Sequence, residues 1–251
     1  MRRGTVALVV VAAVAAATTA VVVSVNSGDD DAPTEASGDD SGAAYSPPID
    51  PAGFTTAVDN PFFPLDPGAR WVFEGRVDEG LERTVVEVTG VTRVVMGVTC
   101  VVVRDTVTLD GEVIEDTWDW FAQAADGAVW YFGEETYEYE NGEVTSTAGA
   151  WEAGVDGAQP GVVMPAQPQV GDSYRQEYYE GEAEDVAEVL SLTESATVPV
   201  GTYEDVLMTE DINPLEPEVV EHKYYARGVG PILTVQVQGG SDREELVEAL
   251  R

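Results

Sequence analysis

Four tryptophans are the residues of this sequence whose type and spacing best suit ligand binding. Trp118 and Trp120 stand two apart, Trp130 follows in the next apolar run, and Trp151 lies alone in a Gly-rich stretch. Side chains two apart on a strand share a face, so these rings can either pack across strands or form a platform for a sugar or a lipid. Packing within the sheet is the simpler alternative. We predict Trp118, Trp120, Trp130 and Trp151 as ligand contacts, with Trp151 at the edge of a cleft.

Acidic side chains flank the aromatic runs at Asp116, Asp119, Glu134 and Glu135. Two carboxyl groups roughly 5–9 Å apart can cleave a glycosidic bond, one as an acid and the other as a base or nucleophile. The chain contains 47 acidic residues, however, so some such pair is expected by chance. We therefore assign no catalytic residue. The sequence leaves open whether the protein is an enzyme and favours a non-catalytic protein.

The single histidine and the single cysteine exclude several kinds of site. One histidine cannot build a multi-histidine metal centre, and one cysteine cannot form a disulfide within the chain or a multi-cysteine zinc or iron–sulfur site. His222 lies between Glu221 and Lys223 on a predicted strand, where neighbouring side chains point to opposite faces. Cys100 lies in a run of β-branched residues, so we expect it to be buried. The sequence predicts neither a metal nor a cofactor.

The negative charge of the chain argues against anionic partners. There are 47 Asp and Glu residues against 12 Lys and Arg, a formal net charge of −35 at pH 7. A protein this acidic repels the phosphates of nucleic acids and the surfaces of anionic bilayers. We predict no nucleic-acid partner, contact with a membrane only through an N-terminal helix, and a monomeric folded part.

The pattern from residue 70 onward is typical of β-strands. It has a period of two and is rich in Val, Thr, Tyr and Trp. Asp110-Gly111 and Asn141-Gly142 each stand between two such runs and predict two-residue hairpins. One short helix is predicted at the C-terminal end, where Ser241 stands three residues before Glu244 as in a capping box.

The two halves of this body repeat the same order of turn residues. Gly68 and Gly97 are 29 residues apart, and Gly171 and Gly201 are 30 apart. We predict a mainly β protein of two tandem antiparallel curved-sheet, half-barrel-like units after an N-terminal transmembrane or signal helix. The units could pack face to face or close into one barrel-like body with a cleft, and the sequence leaves both arrangements open.

An uncharged apolar run follows Arg2 and Arg3 and covers residues 5–25. As a helix it would be roughly 31 Å long, about the thickness of the hydrocarbon core of a bilayer. Basic residues before the run and acidic residues after it predict export of the remainder. The run is either an uncleaved anchor or a cleaved signal peptide. The folded part is therefore expected on the extracellular side of the cytoplasmic membrane, anchored or secreted.

The predicted organisation has five segments. Residues 1–25 are the signal-anchor or signal peptide, and residues 26–55 form a disordered acidic linker that is rich in Ser, Gly, Asp and Pro. The first β unit, with an extra hairpin, covers residues 56–148. A Gly/Pro-rich connector covers residues 149–169, and the second β unit covers residues 170–251.

Three runs carry a resemblance to a known family: DNPFFPLDPG, DTWDWFAQAADGAVWYFGE and WEAGVDGAQPGVVMP. Together they resemble a family of uncharacterised exported bacterial proteins of actinobacterial type, over Asn60 to Val237. A weaker similarity, carried by residues 201–203, 224–226 and 228–230, is to curved half-barrel domains of envelope proteins related to lipoprotein carriers. That similarity implies a half-barrel fold and an apolar ligand, and it carries no catalytic residue.

These observations predict an exported cell-envelope protein that binds an apolar or carbohydrate ligand, a lipid or a glycan, in a cleft between two β units without transforming it. One alternative is an envelope hydrolase that uses paired carboxylates. Another is a passive structural or assembly module. The identity of the ligand is not encoded in any motif of the sequence.

Overall fold

The computed structural model describes residues 45–250, and almost all of their regular structure is β-strand. A single 3-10 turn covers Pro51–Gly53. The strands are β1 (Phe54–Thr55), β2 (Arg70–Val77), β3 (Gly80–Val95), β4 (Val98–Leu109), β5 (Glu112–Ala124), β6 (Val129–Glu140), β7 (Glu143–Ser146), β8 (Trp151–Glu152), β9 (Gln159–Met164), β10 (Ser173–Arg175), β11 (Glu177–Tyr178), β12 (Val186–Val198), β13 (Gly201–Ile212), β14 (Val220–Ala226), β15 (Gly230–Gln238) and β16 (Arg243–Leu250). The mainly antiparallel β fold is confirmed.

These strands form one antiparallel sheet that curls into a nearly closed barrel. Its order is β10-β12-β13-β14-β15-β16-β2-β3-β4-β5-β6-β9-β11. The end strands β10 and β11 are separated in the chain by Gln176 alone, so the two ends of the sheet meet there. Five consecutive strands, β2–β6, form one meander and β12–β16 form another. Pairing of β16 with β2 joins them, which decides for one barrel-like body over two units packed face to face.

Both predicted hairpins are present. Asp110 and Gly111 have φ of 48° and 90° between β4 and β5, and Asn141 and Gly142 have φ of 54° and 79° between β6 and β7. Positive φ at both central residues is the type I′ geometry that matches the twist of a hairpin. Asn, Asp and Gly tolerate this left-handed region better than other residues, which explains why the local sequence predicted these turns.

The predicted C-terminal helix is wrong. Residues Arg243–Leu250 form β16, which pairs with β15 on one edge and with β2 on the other. Glu244 and Leu246 of this strand are buried. A helix of eight residues has little stability of its own, whereas the strand gains pairing on both edges and buried apolar contact. The capping-box spacing is therefore overridden by tertiary pairing.

The inward faces of the strands change in character along the barrel. Toward one end the interior is apolar and aromatic, with Trp71, Phe73, Phe121 and Tyr131 all buried. Toward the other end it is acidic. The acidic lumen consists of ten buried carboxyl side chains: Glu82, Asp105, Glu115, Asp119, Glu134, Glu177, Asp185, Asp211, Glu221 and Glu244. Lys223 is buried among them and lies 3.2 Å from Asp211 Oδ2.

The turns before β2 and β12 make the same main-chain bonds. The Gly68 N–H donates to the Val88 carbonyl at 3.0 Å, and the Gly171 N–H donates to the Val189 carbonyl at 2.8 Å. In each case that valine donates back to the residue after the glycine. These glycines occupy matching positions in the predicted duplication. The likeness is local, and duplication of the whole units stays a prediction.

The predicted leader and most of the predicted linker lie outside the described residues. Of the linker, residues 45–55 are described and pack on the barrel. The Tyr45 hydroxyl donates to the Pro160 carbonyl at 3.1 Å, and its ring meets the Tyr178 ring edge-on at 5.5 Å between centroids. Within residues 45–250, no helix has the length and hydropathy that crossing a bilayer requires.

Candidate functional site

The structure brings two of the four predicted tryptophans together and places the other two elsewhere. Trp120 of β5 and Trp151 of β8 line the same surface hollow. Trp118 packs against Arg104, whose Cζ lies 5.1 Å from the centroid of the indole. Trp130 packs edge-on against a phenylalanine of β1, with 6.1 Å between ring centroids. Trp120 and Trp151 are therefore the members of the predicted set that the fold assembles.

Local departures from regular pairing position these two rings. Along one edge, β6 pairs successively with β9, β8 and β7. Gly133 of β6 has a φ of 126°, and a side chain at this position would overlap the Trp151 carbonyl. Only glycine lets β8 approach this closely. The register of β5 on β6 also shifts between Asp119 and Phe121, next to Trp120. The hollow thus forms at a local irregularity of the sheet.

We call this feature the tryptophan hollow; its volume is about 280 Å³, and it opens to solvent. It is lined by Arg93, Trp120, Glu134, Glu135, Ala150, Trp151, Glu152, Val155, Asp156, Ala158 and Tyr179. Its wall therefore combines aromatic rings with four carboxylates and one guanidinium. Trp120 is only 3% exposed and Trp151 only 4%, so the two rings form a buried base for the hollow.

Arg93 of β3 covers the Trp120 ring. Its Cζ lies 3.8 Å from the ring centroid, a stacked cation–π contact. Its Nη2 also donates to Glu152 Oε2 at 2.5 Å. A guanidinium has five N–H donors, so Arg93 held by two fixed neighbours retains donors for a ligand in the hollow. The arginine is partly exposed, which leaves it accessible from solvent.

Beneath the hollow, two carboxyl groups meet one tyrosine hydroxyl. Tyr131 Oη lies 2.7 Å from Asp119 Oδ1 and 2.7 Å from Glu134 Oε2. A hydroxyl donates a single proton, so one of these two contacts requires a proton on a carboxyl group. Burial, reinforced by the nearby negative charge of the other acid, raises the pKa of Glu134 well above its ordinary value, and burial also raises the pKa of Asp119. The pair therefore shares a proton at neutral pH.

Trp151 connects the hollow to the seam of the barrel. Its Nε1–H donates to Glu177 Oε2 at 3.0 Å, and its ring meets Tyr131 edge-on at 5.3 Å. Glu177 belongs to β11, the last strand of the sheet order. Burial raises the pKa of Glu177 as well. The Trp151 indole therefore contacts Tyr131, which binds Asp119 and Glu134, and also contacts Glu177 on β11.

The remaining candidate residues have separate positions. Asp116 lies outside the barrel and accepts from Arg104 Nε at 2.7 Å. Glu135 lines the tryptophan hollow and accepts from a tyrosine hydroxyl. His222 is half-buried on β14, with Nε2 3.6 Å from Glu210 Oε2. Cys100 is fully buried, and burial raises the pKa of its thiol to about 12. Cys100 therefore packs as a small apolar residue.

The acidic lumen is the feature that sequence reasoning missed. On β5, Glu115, Thr117 and Asp119 occupy alternate positions in phase with the buried Phe121. Acidic residues in phase with a buried aromatic are the signal that could have revealed inward-facing carboxylates. In residues 45–250, no three His, Cys, Asp or Glu side chains are grouped so that they could hold a metal ion.

Comparison with known proteins leaves the function to be argued from this geometry. No family model matches the sequence, and no curated protein matches it. Two solved structures are similar. One is a Bacteroides fragilis protein assigned as exported and as having a YmcC-like fold. The two sequences are 14% identical, the match covers 76% of this chain and 99% of that chain, and the TM-score is 0.45. The other is a Parabacteroides distasonis protein assigned as a lipoprotein, which is 15% identical, with 75% and 98% covered and a TM-score of 0.41. At these values neither similarity carries a function to this chain.

Proposed function

We propose that the protein is an exported binding protein of the cell envelope and that the tryptophan hollow binds a carbohydrate. The observation that supports this most is the lining of the hollow. Trp120 and Trp151 stand beside four carboxylates and Arg93, around a volume of about 280 Å³. Several hydrogen-bonding groups around a rigid aromatic base suit a polyhydroxylated ligand, which presents many hydroxyls.

The polar lining favours a carbohydrate over an apolar ligand. The apolar hollow lined by Phe63, Leu65, Trp71 and Phe73 has room for about 10 Å³, close to a single water molecule. A lipid chain needs a continuous apolar volume far larger than this. The tryptophan hollow is larger, but a lipid chain there would strip water from carboxylates without replacing their hydrogen bonds.

Export is supported by the sequence before the described residues. The apolar run at residues 5–25 follows two arginines, and an acidic stretch follows the run. This charge asymmetry supports export of the C-terminal part from the cytoplasm. Fractionation of intact cells, with and without added protease, tests it. An exported chain is recovered in the medium or is degraded on the cells without lysis, and a chain that appears only after lysis contradicts export.

Binding is tested by titrating the full chain with cellohexaose, chitohexaose, maltohexaose and xylohexaose. Intrinsic tryptophan fluorescence and calorimetry are the two readouts, and oleate is the apolar probe. We expect a saturable response to at least one hexasaccharide. Arg93→Met removes the cation over Trp120 and should weaken that binding about tenfold or more.

Arg83→Met is the matched control. Arg83 lies on the same strand and pairs with Glu74 on the outer face, away from the hollow. Its substitution should leave binding unchanged. A response to oleate alone, no response to any probe, or equal weakening in both arginine variants contradicts the proposal.

A hydrolase is the second candidate, favoured by the Asp119–Glu134 pair. The two carboxyl groups share the Tyr131 hydroxyl, and Glu134 lines the hollow. Asp119 does not line it, so the second acid that glycoside cleavage needs faces the lumen instead. We therefore place binding first. Release of reducing sugar from a hexasaccharide that disappears in Glu134→Gln, with binding retained, would reverse this order.

A further inference from the structure

A second hollow opens at the other end of the barrel. It has a volume of about 240 Å³ and forms between the β2–β3 turn, the end of β4, and the loop before β16. We call it the acidic mouth, and its polar wall contains Asp78, Glu79, Glu82 and Asp242. Glu82 and Arg93 lie at opposite ends of β3, so this hollow and the tryptophan hollow are separate.

The acidic mouth has no compensating positive charge in its wall. Its other lining side chains are apolar or neutral, including Val77, Leu109 and Val219. A smaller cavity of about 10 Å³ continues inward from it past Glu82 and Asp242 to Glu221 and Glu244. Glu221 is paired with Lys223, whose Nζ lies 3.9 Å from its Oε2. Four carboxylates at the entrance and Glu244 behind it therefore form one acidic channel.

Arg243 lines the inner cavity but does not neutralise it. Both Nε and Nη2 of Arg243 donate to Glu245 Oε1, at 3.1 Å and 2.7 Å. Residues 243 and 245 share the outer face of β16, whereas Glu244 between them points inward. The guanidinium of Arg243 is therefore paired with Glu245 on the outside of the barrel.

Glu244 is the observation that points to a ligand. It is only 4% exposed, it lines the inner cavity, and within residues 45–250 no group meets hydrogen-bond geometry with either of its carboxyl oxygens. The neighbouring Thr84 hydroxyl and the charge of Lys223 favour its ionised form without filling the cavity side. Buried polar groups in native proteins are normally satisfied by protein, water or a bound species. An inward-facing carboxylate whose oxygens lack well-formed hydrogen bonds, at the end of an acidic channel, is a receptor for a positively charged donor.

We propose that the acidic mouth binds an organic ammonium ion, such as a linear polyamine. One N–H-bearing group would reach Glu244 and Glu82, further ammonium groups would meet Asp78, Glu79 and Asp242, and the methylene segments would lie along Val77, Leu109 and Val219. The carboxylates are spread along the channel and do not converge on one point. Separated charges with apolar surface between them match a ligand whose charges are themselves separated by methylene groups.

Calorimetric titration of the full chain with spermidine tests this site. The titration is run at pH 8.5, because burial raises the pKa of Glu244 to about 8 and the carboxylate must be ionised. Moderate salt suppresses diffuse binding to a chain of net charge −35. We expect one saturable site, with affinity lowered about tenfold or more in Glu244→Gln and again in Glu82→Gln.

Glu188→Gln is the matched control, since it removes the same charge from an exposed position on the outer face of β12 and leaves Arg243 paired with Glu245. Specific binding leaves this variant unchanged. Equal, small weakening in all three variants means diffuse attraction and overturns the proposal, as does the absence of binding to the unmodified chain. Stoichiometric Ca²⁺ binding that excludes spermidine and is lost in Glu244→Gln would make this a metal site and overturn it too. Circular dichroism of each variant confirms the fold, and Glu82→Gln keeps the test valid if Glu244→Gln unfolds.

Discussion

The indole Nε1 of Trp151 lies 3.0 Å from Oε2 of Glu177 and donates a hydrogen bond to it. This contact joins β8, which carries the wall of the tryptophan hollow, to β11, the strand at one end of the sheet. Both side chains are buried. The candidate binding site is therefore tied directly to the seam where the barrel closes.

Trp151→Phe should destabilise the protein. The substitution keeps an aromatic ring and removes the donor, which leaves a buried carboxyl group without this hydrogen bond. We expect a loss of about 1–3 kcal/mol in the free energy of unfolding, measured by urea denaturation. Trp130→Phe serves as the control, because Trp130 is half-buried and packs edge-on against Phe54. An unchanged midpoint for Trp151→Phe would show that the bond contributes nothing to the seam.

Stability should fall as the pH rises from about 5 to 9. Burial raises the pKa of Glu82 and Glu115 to about 7 and that of Glu244 to about 8. The folded protein thus keeps protons that the unfolded chain has already released above pH 4.5. This stability is fully present below the unfolded pKa and is lost through pH 7 to 8, by on the order of a few kcal/mol per group.

Urea unfolding at pH 5, 7 and 9 measures this dependence. Repulsion between exposed acids also grows with pH, and high salt separates the two causes because it screens surface charges far more than buried ones. The decline should persist in 1 M NaCl. A flat or rising free energy of unfolding over this range would mean that the lumen acids are ionised without cost.

Lys223→Met should be strongly destabilising at pH 8. Its Nζ lies 3.2 Å from Asp211 Oδ2 and 3.9 Å from Glu221 Oε2, and all three side chains are buried. Removing the positive partner leaves buried negative charge uncompensated, which costs about 3–5 kcal/mol. Thermal and urea denaturation provide the measurement.

Arg83→Met is the matched comparison for Lys223→Met. The Arg83–Glu74 pair is partly exposed, and such pairs contribute about 0–1 kcal/mol. Similar losses for the two variants would indicate that Lys223 contributes no more than a surface ion pair does.

Gly161→Ala should open the seam of the barrel. A Cβ at residue 161 would overlap the backbone of Gln176, at the point where β9 pairs with β11. We expect faster amide hydrogen exchange at Glu177 and Tyr178 together with a lower melting temperature. Gly53→Ala is the control, because a Cβ there has open space around it. Unaltered exchange in Gly161→Ala would show that the seam tolerates separation of these strands.

Local chemistry predicted the strands and hairpins because the relevant interactions lie within a few residues. Asn141-Gly142 adopts positive φ regardless of what surrounds the hairpin, and Cys100 is buried because its own run is β-branched. The C-terminal residues behave differently. Ser241 and Glu244 have the spacing of a helix cap, yet pairing with β2, more than 160 residues earlier in the chain, makes that segment a strand.

The candidate site was only partly predictable for the same reason. Trp120 and Trp151 were among the predicted contacts, but their meeting depends on β8 pairing with β6 at Gly133. Trp151 stands apart in its Gly-rich stretch, but nothing in the sequence near Trp118 or Trp130 distinguishes them from Trp120. Arg93 could not be found at all from the sequence, since it reaches Trp120 across the β3–β4–β5 ladder.

The sequence by itself determined that this chain is acidic, rich in strands and punctuated by tight turns, because these properties depend on residue type and near neighbours. Only the tertiary structure decided that ten carboxyl side chains, Glu244 and Asp119 among them, face the inside of a barrel. A strand has two faces, and which one is enclosed is set by its register with distant strands and by how the sheet curls. Strand register and the curl of the sheet therefore create both the acidic lumen and the two hollows.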